Sequence, residues 1–153
     1  MPSVSDELTI SGDLGEVYEC FWNPRLWAAI TPHVKSIQML EEATGFQQFI
    51  MEIESGGKLY RTESKRIGIP FEKIQYEQLQ PPPFLTRHTG SWTFRRSDDG
   101  IRVTLVHNFE IDAAKASECI GTQSSSDAQQ QIGAALKKNG LITMNAIKRW
   151  IEG

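Results

Sequence analysis

The chain has 153 residues and a formal charge of −3 at pH 7, with 16 Lys and Arg against 19 Asp and Glu. That length supplies one core-forming domain, so residues 1–153 are read as a single domain. Scattered basic residues in an acidic balance leave no footprint for a nucleic-acid backbone, and no apolar stretch approaches the ~20 residues of a membrane-spanning helix.

Residues 4–12 read as a short strand. The period then changes, with Leu14, Val17, Tyr18 and Phe21, then Leu26, Trp27 and Ile30, recurring at helical spacing. Asp13 supplies an N-cap and Asn23-Pro24 an interruption, which makes two short helices rather than one. From Val34 to Ile111 the pattern is that of strands: Phe49, Met51 and Ile53 alternate with Gln48, Glu52 and Glu54, and Trp92 and Phe94 with Ser91, Thr93 and Arg95. Gly56-Gly57 and Ser97-Asp98-Asp99-Gly100 are turn signals, and Pro81-Pro82-Pro83 is a stiff connection. Six strands joined this way predict an antiparallel meander.

After Ile111 the segment DAAKASECIGTQSSSD has no core-forming pattern and reads as a loop or mobile lid with room for one helical turn. Ser125 or Ser126 starts a final helix that runs to about Ile151. Its expected buried stripe is Ile132, Ala135, Leu136, Ile142, Ala146, Ile147 and Trp150, and Gly140 marks a bend or a close approach to the sheet. The predicted fold class is therefore α+β: a seven-stranded curved antiparallel sheet wrapping a long C-terminal helix, with two short helices after the first strand. In this helix-grip arrangement the helix meets the sheet mainly at one end and leaves an internal cavity.

Several functions are excluded cheaply. Cys20 and Cys119 are too far apart and too few for a disulfide framework or a zinc site, and His33, His88 and His107 lack metal-ligand spacing. His33, beside Pro32, reads as an exposed loop residue. Gly-rich phosphate loops and nucleophile elbows are absent. The N-terminal text lacks the basic and apolar regions of a signal peptide, so a cytoplasmic protein with reduced thiols is expected.

Two ionisable side chains fall on faces that should be buried. In IRVTLVHNFEI, His107 shares the stripe of Ile101, Val103, Leu105, Phe109 and Ile111, because alternate strand residues share a face. In LYRTESKRI, Arg61, Glu63 and Lys65 form the solvated face, which turns Tyr60, Thr62, Ser64 and Arg66 inwards. An inward arginine needs a compensating partner. Two readings stand side by side: a core histidine bonded to a carbonyl and an arginine snorkelling to the rim, or a polar patch gathered for chemistry.

The succession VYECFWNPRLWAAITPHV, YRTESKRIGIP, PPPFLTRHTGSWTF, GIRVTLVHNFEI and NGLITMNAIKRWIE resembles the polyketide aromatase/cyclases of the START-like helix-grip superfamily over almost the whole chain. The resemblance implies that Ser64 and Arg66 line a pocket and hold polyketide oxygens. It implies that Trp92 is a pocket-wall aromatic and that His107 takes part in proton transfer. Asn139 and Thr143 are the positions on the final helix that would supply a polar partner for that histidine. The chain departs from the pattern at His33-Val34, where members carry an acidic residue or tyrosine, and on the fifth strand, where Tyr76 and Gln78 stand in place of an arginine.

The implied activity is cofactor-independent cyclisation of a poly-β-ketone, with dehydration to an aromatic ring or lactonisation to a pyrone. In that chemistry Arg66 stabilises an enolate and His107, with an unperturbed pKa of ~6.5, exchanges protons in both directions. Tyr60, Thr62, Ser64 and Thr143 would orient oxygens, while Phe49, Met51, Trp92 and Leu105 would shape the substrate. No cofactor or metal is expected. The implied partner is a polyketide, with an acyl carrier protein and a homodimer admitted rather than required. The rival reading is a non-catalytic carrier of a hydrophobic small molecule such as a lipid or quinone, which would use the same cavity.

Overall fold

The computed structural model describes residues 1–121 and 124–153, apart from the Ile120 side chain; Thr122 and Gln123, inside the segment read as a loop or lid, lie outside the described residues. In chain order the elements are β1 (Ser3–Ile10), α1 (Leu14–Trp22), α2 (Pro24–Ile30), β2 (Val34–Ala43), β3 (Phe46–Ser55), β4 (Lys58–Ile69), β5 (Lys73–Gln80), β6 (Leu85–Ser97), β7 (Gly100–Ile111), α3 (Ala113–Ile120) and α4 (Ser125–Glu152). The seven strands form one antiparallel sheet in the order β1-β7-β6-β5-β4-β3-β2. Strands β2 to β7 are the expected meander, and β1 closes against β7 from Ser3↔Asn108 to Ile10↔Ile101.

Local chemistry sets the joints. Asp13 accepts from the Glu16 amide and caps α1. Asn23 ends α1 and, by accepting from the Arg25 amide ahead of Pro24, also starts α2. The segment after β7 holds two helical turns rather than the one expected, because Asp112 caps α3 and Gly121 ends it in the left-handed region at φ 76°. Register shifts at Val34/Ser36 and Met39/Glu41, at Glu63/Ser64 and at Leu85/Arg87 bend the sheet, since an extra residue raises local twist.

Helix α4, about 42 Å long at 1.5 Å per residue, runs along the concave face. The structure corrects the expectation that it touches the sheet mainly at one end. Ala128 and Ile132 pack with Leu85, Phe109 and Ala116, and Met144 and Ile147 pack with Ile10, Val17, Phe21 and Val103, so both ends are clamped. Its buried face also differs from the expected stripe. It follows the row Ile132, Leu136, Gly140, Met144 and continues through Ile147 and Ile151, while Trp150 is 59% exposed and Ile142 is only half-buried. An i, i+4 row is inclined to the helix axis, which carries Ile142 and Trp150 off the sheet.

Candidate active site

Between the two clamps α4 presents Leu136, Asn139, Gly140 and Thr143 to the sheet, and there the packing opens into a cavity of about 130 Å³. That is room for roughly ten waters at 10–15 Å³ each. Phe49, Met51, Trp92, Leu105 and Ile132 form its apolar wall, and Arg66, Tyr76, Gln78, His88, His107 and His33 its polar wall.

Arg66 is 2% exposed and has no carboxylate beside it among the described residues. Its charge is met by dipoles and rings instead. One terminal nitrogen donates to the Phe21 carbonyl, and the other donates to the Trp22 carbonyl at 3.3 Å and to Gln47 Oε1 at 3.1 Å. Phe21 and Trp22 end α1, so the guanidinium satisfies carbonyls that the helix leaves free and sits at the negative end of its dipole. The guanidinium carbon lies 4.9 Å from the Trp27 ring centre, 5.3 Å from Trp22 and 5.8 Å from Phe49, a cation–π environment. Burial pulls its pKa down to about 9, which leaves it cationic at neutral pH. Its Nε is buried with no protein acceptor.

His107 is 8% exposed, and it is held by strands rather than by α4. Its Nδ1 lies 2.7 Å from the Tyr76 hydroxyl and 3.0 Å from His88 Nε2. His88 Nδ1 in turn lies 2.7 Å from Gln78 Oε1, and the Tyr76 hydroxyl is 3.2 Å from the Val106 carbonyl. This corrects the expectation of a helix partner at Asn139 or Thr143: α4 approaches His107 through Gly140, where a Cβ would stand 3.2 Å from Nε2. The Nε2 atom is buried without a partner. Burial pushes His107 down to about 4, with Asp6 opposing and Lys137 adding to the shift, and pushes His88 down to about 3. The Tyr76 phenol is raised well above its ordinary value by burial and stays protonated.

Thr143 lines the cavity and donates to the Asn139 carbonyl at 3.2 Å; its oxygen lies 3.3 Å from His33 Nε2. The expectation that His33 is an exposed loop residue is therefore corrected, because α4 folds over it and Thr143 faces it. The other ring nitrogen, His33 Nδ1, is buried without a partner. Burial, reinforced by Lys35, lowers the His33 pKa.

Of the other residues singled out from sequence, Phe49, Met51, Tyr60, Ser64, Trp92, Leu105 and Asn139 all lie on the cavity wall. Thr62 does not: it is buried, with its hydroxyl 3.4 Å from the Met51 carbonyl across the β3–β4 pair. Sequence reading assigned no site role to Gln47 or His88, and noted Tyr76 and Gln78 only as standing in place of the family's arginine, although alternation could have turned all four inwards. Gln47 is in phase with Phe49 and Met51, Tyr76 and Gln78 with Ile74, and His88 with Trp92 and Phe94.

Residues 10–135 match the family model described as polyketide cyclase / dehydrase and lipid transport. The chain is 32% identical over 146 residues to the actinorhodin polyketide synthase bifunctional cyclase/dehydratase of Streptomyces coelicolor, an alignment covering 88% of this chain and 44% of that protein. In structure it is similar to the di-domain aromatase/cyclase BexL of the BE-7585A pathway, with a TM-score of 0.90 and 28% identity over 99% of this chain and 50% of that one. It is also similar to the Zhui aromatase/cyclase of Streptomyces sp. R1128, with a TM-score of 0.88 over 99% and 93% of the two chains; at 23% identity that likeness carries the fold alone. The chain spans about half the length of the curated relatives it matches.

Proposed function

The chain belongs to the polyketide cyclase / dehydrase and lipid transport family, and from that premise we propose that it cyclises a poly-β-ketone chain inside the cavity by acid–base chemistry, without a cofactor. The observation that carries this reading is where the unpartnered polar atoms fall. Buried polar groups are nearly always paired. Among the described residues four buried side-chain polar atoms lack a partner: Arg66 Nε, His107 Nε2 and His33 Nδ1 belong to residues that line this one cavity, and the fourth, Asp6 Oδ2, lies outside it on a carboxylate whose other oxygen meets Lys137. A passive apolar carrier has no use for a cation and two imidazoles there, whereas a chain of ketones and enols supplies oxygens for each.

The steps follow from those atoms. A carbon flanked by two carbonyls loses its proton to His107 Nε2. The enolate oxygen accepts from Arg66 Nε–H in a site where a preorganised donor is worth more than in water. The carbanion carbon bonds to a distant carbonyl carbon, whose π pair moves to its oxygen and takes the proton back from the His107 imidazolium. Neutral His107 then removes the second proton of the same carbon and passes it to the hydroxyl, which leaves as water as the carbon–carbon double bond forms and carries the ring toward aromaticity. Attack by an enol oxygen on the terminal acyl carbon, with the enol proton passed to the carrier thiol or hydroxyl that departs from that carbon, would instead give a pyrone. His33 Nδ1 hydrogen-bonds to an enol hydroxyl, and the walls at Phe49, Met51, Trp92 and Leu105 confine the chain to one near-attack shape.

The test is incubation of the purified protein with a linear poly-β-ketone, both free and carrier-bound, followed by liquid chromatography and mass spectrometry. A cyclic product lighter by one water per dehydration is expected. Recovery of the chain bound but chemically unchanged, beyond its spontaneous cyclisation, would overturn the enzymatic reading in favour of a carrier.

A further inference from the structure

We propose that Gln78, acting through His88, fixes the tautomer of His107, so that the nitrogen facing α4 is a bare proton acceptor. Gln78 and His88 are thereby positioning residues for the cavity base. The assignment comes from proton counting in the cluster. Two ring nitrogens 3.0 Å apart, His88 Nε2 and His107 Nδ1, must share one proton, because facing lone pairs repel.

With Gln78 Oε1 at 2.7 Å, His88 Nδ1 carries its proton and donates. Neutral His88 then has a lone pair at Nε2, so the shared proton belongs to His107 Nδ1. That proton also points to the Tyr76 oxygen at 2.7 Å, and the Tyr76 hydroxyl passes its own proton to the Val106 carbonyl at 3.2 Å, because the His88 Nε2 lone pair is already taken. Three protons, on His88 Nδ1, His107 Nδ1 and the Tyr76 hydroxyl, serve the cluster, the His107 proton being shared between His88 and Tyr76. The orientation of the Gln78 amide decides the set: turned round, it would donate to His88 Nδ1, move the His88 proton to Nε2 and make His107 Nδ1 the acceptor.

Both imidazoles are neutral because they are buried, so the choice lies between tautomers and not between charge states. The charged groups acting on His107 from other elements are Asp6 of β1 and Lys137 of α4. They form a pair with each other at 3.1 Å, so they do not decide which ring nitrogen holds the proton.

The tautomer is read directly from long-range nitrogen–proton correlation spectra of protein labelled with ¹⁵N-histidine. His107 is expected to show a protonated Nδ1 and, far downfield, a bare Nε2. Gln78→Glu, which offers His88 only an acceptor, keeps that pattern. Gln78→Leu releases His88 and gives a mixture of the two forms. A His107 protonated at Nε2 in the wild-type protein, or an unchanged spectrum in the Gln78→Leu variant, overturns the proposal. The kinetic consequence rests on the acid–base role of His107 proposed above: kcat falls about tenfold in Gln78→Leu at constant KM, a share of the 10²–10⁴-fold typical of a positioned base. The spectra stand without it, so failure of the relay and failure of the enzymatic reading are told apart.

Discussion

The Tyr76 hydroxyl reaches His107 Nδ1, 2.7 Å away, through space that Gly90 leaves open. In the β5–β6–β7 register Gly90 lies opposite Tyr76 on one side and His107 on the other. A Cβ at position 90 would stand 2.0 Å from the Val106 carbonyl oxygen and 2.4 Å from the Tyr76 hydroxyl. Gly90→Ala is therefore expected to cost about 3 kcal/mol, the upper end of overpacking, since backbone yields less than a side chain. Thermal unfolding checks this, with a shift of about 2–4 °C per kcal/mol at this chain length. Tyr76→Phe, which removes only the hydroxyl, should cost about 1 kcal/mol.

Acid should destabilise the fold earlier than its carboxylates alone would require. His107 and His88 titrate near 6.5 when unfolded and near 4 and 3 when folded, so between those limits the unfolded chain binds more protons. Stability is fully present above pH 6.5 and falls as pH is lowered, with a slope approaching about 1.4 kcal/mol per pH unit for each imidazole, levelling off below pH 3–4. Urea titrations between pH 7 and 5 measure the slope. Replacing His88 by Asn should remove about one proton of linkage, whereas a flat wild-type profile would contradict the burial argument.

Arg66 is both a helix cap and the cation of the cavity, and the two roles predict a double effect. In Arg66→Lys the ammonium keeps the charge but lacks the planar fork that reaches Phe21, Trp22 and Gln47 together. The expected loss is about 1–3 kcal/mol of stability, chiefly from the orphaned Phe21 carbonyl, since Gln47 Nε2 still donates to the Trp22 carbonyl at 2.8 Å. Cyclisation should fall by about 10²–10³ in kcat, as for the loss of one oxyanion donor. Denaturant unfolding and product assays of the same preparation separate the two.

Gly140 brings two opposing effects together. Alanine would favour the α4 helix by about 1 kcal/mol, but its Cβ would fall 2.5 Å from Leu105 Cδ2 and 3.2 Å from His107 Nε2. Overpacking of about 1–3 kcal/mol outweighs the propensity gain modestly, so a small drop in Tm is expected alongside a much larger loss of activity. Equal losses in both would show that Gly140 serves only packing.

Much of this was legible because strand alternation is local. The phase of β4 and β7 turns Arg66 and His107 inwards, and both side chains are buried on the cavity wall. The same rule extended by four residues from Trp92 reaches His88, which shows that the omission lay in reading β6 only around its aromatics. What alternation cannot show is which inward residues meet. The His33–Thr143 contact joins residues 110 apart in the chain, and the carbonyls that hold Arg66 belong to a helix end 44 residues away. The stripe of α4 failed for a related reason: a curved sheet receives an inclined row of side chains, and a straight helical pattern places Trp150 on it wrongly.

The most direct measurement is a single-turnover comparison of wild-type protein and His107→Gln with a linear poly-β-ketone, alongside equilibrium binding of a non-enolisable analogue. If His107 Nε2 is the base, the variant binds the analogue within about threefold of wild type, while its cyclisation rate falls by at least about 10², the contribution of a positioned base. Cyclisation by folded His107→Gln at the wild-type rate would contradict the account.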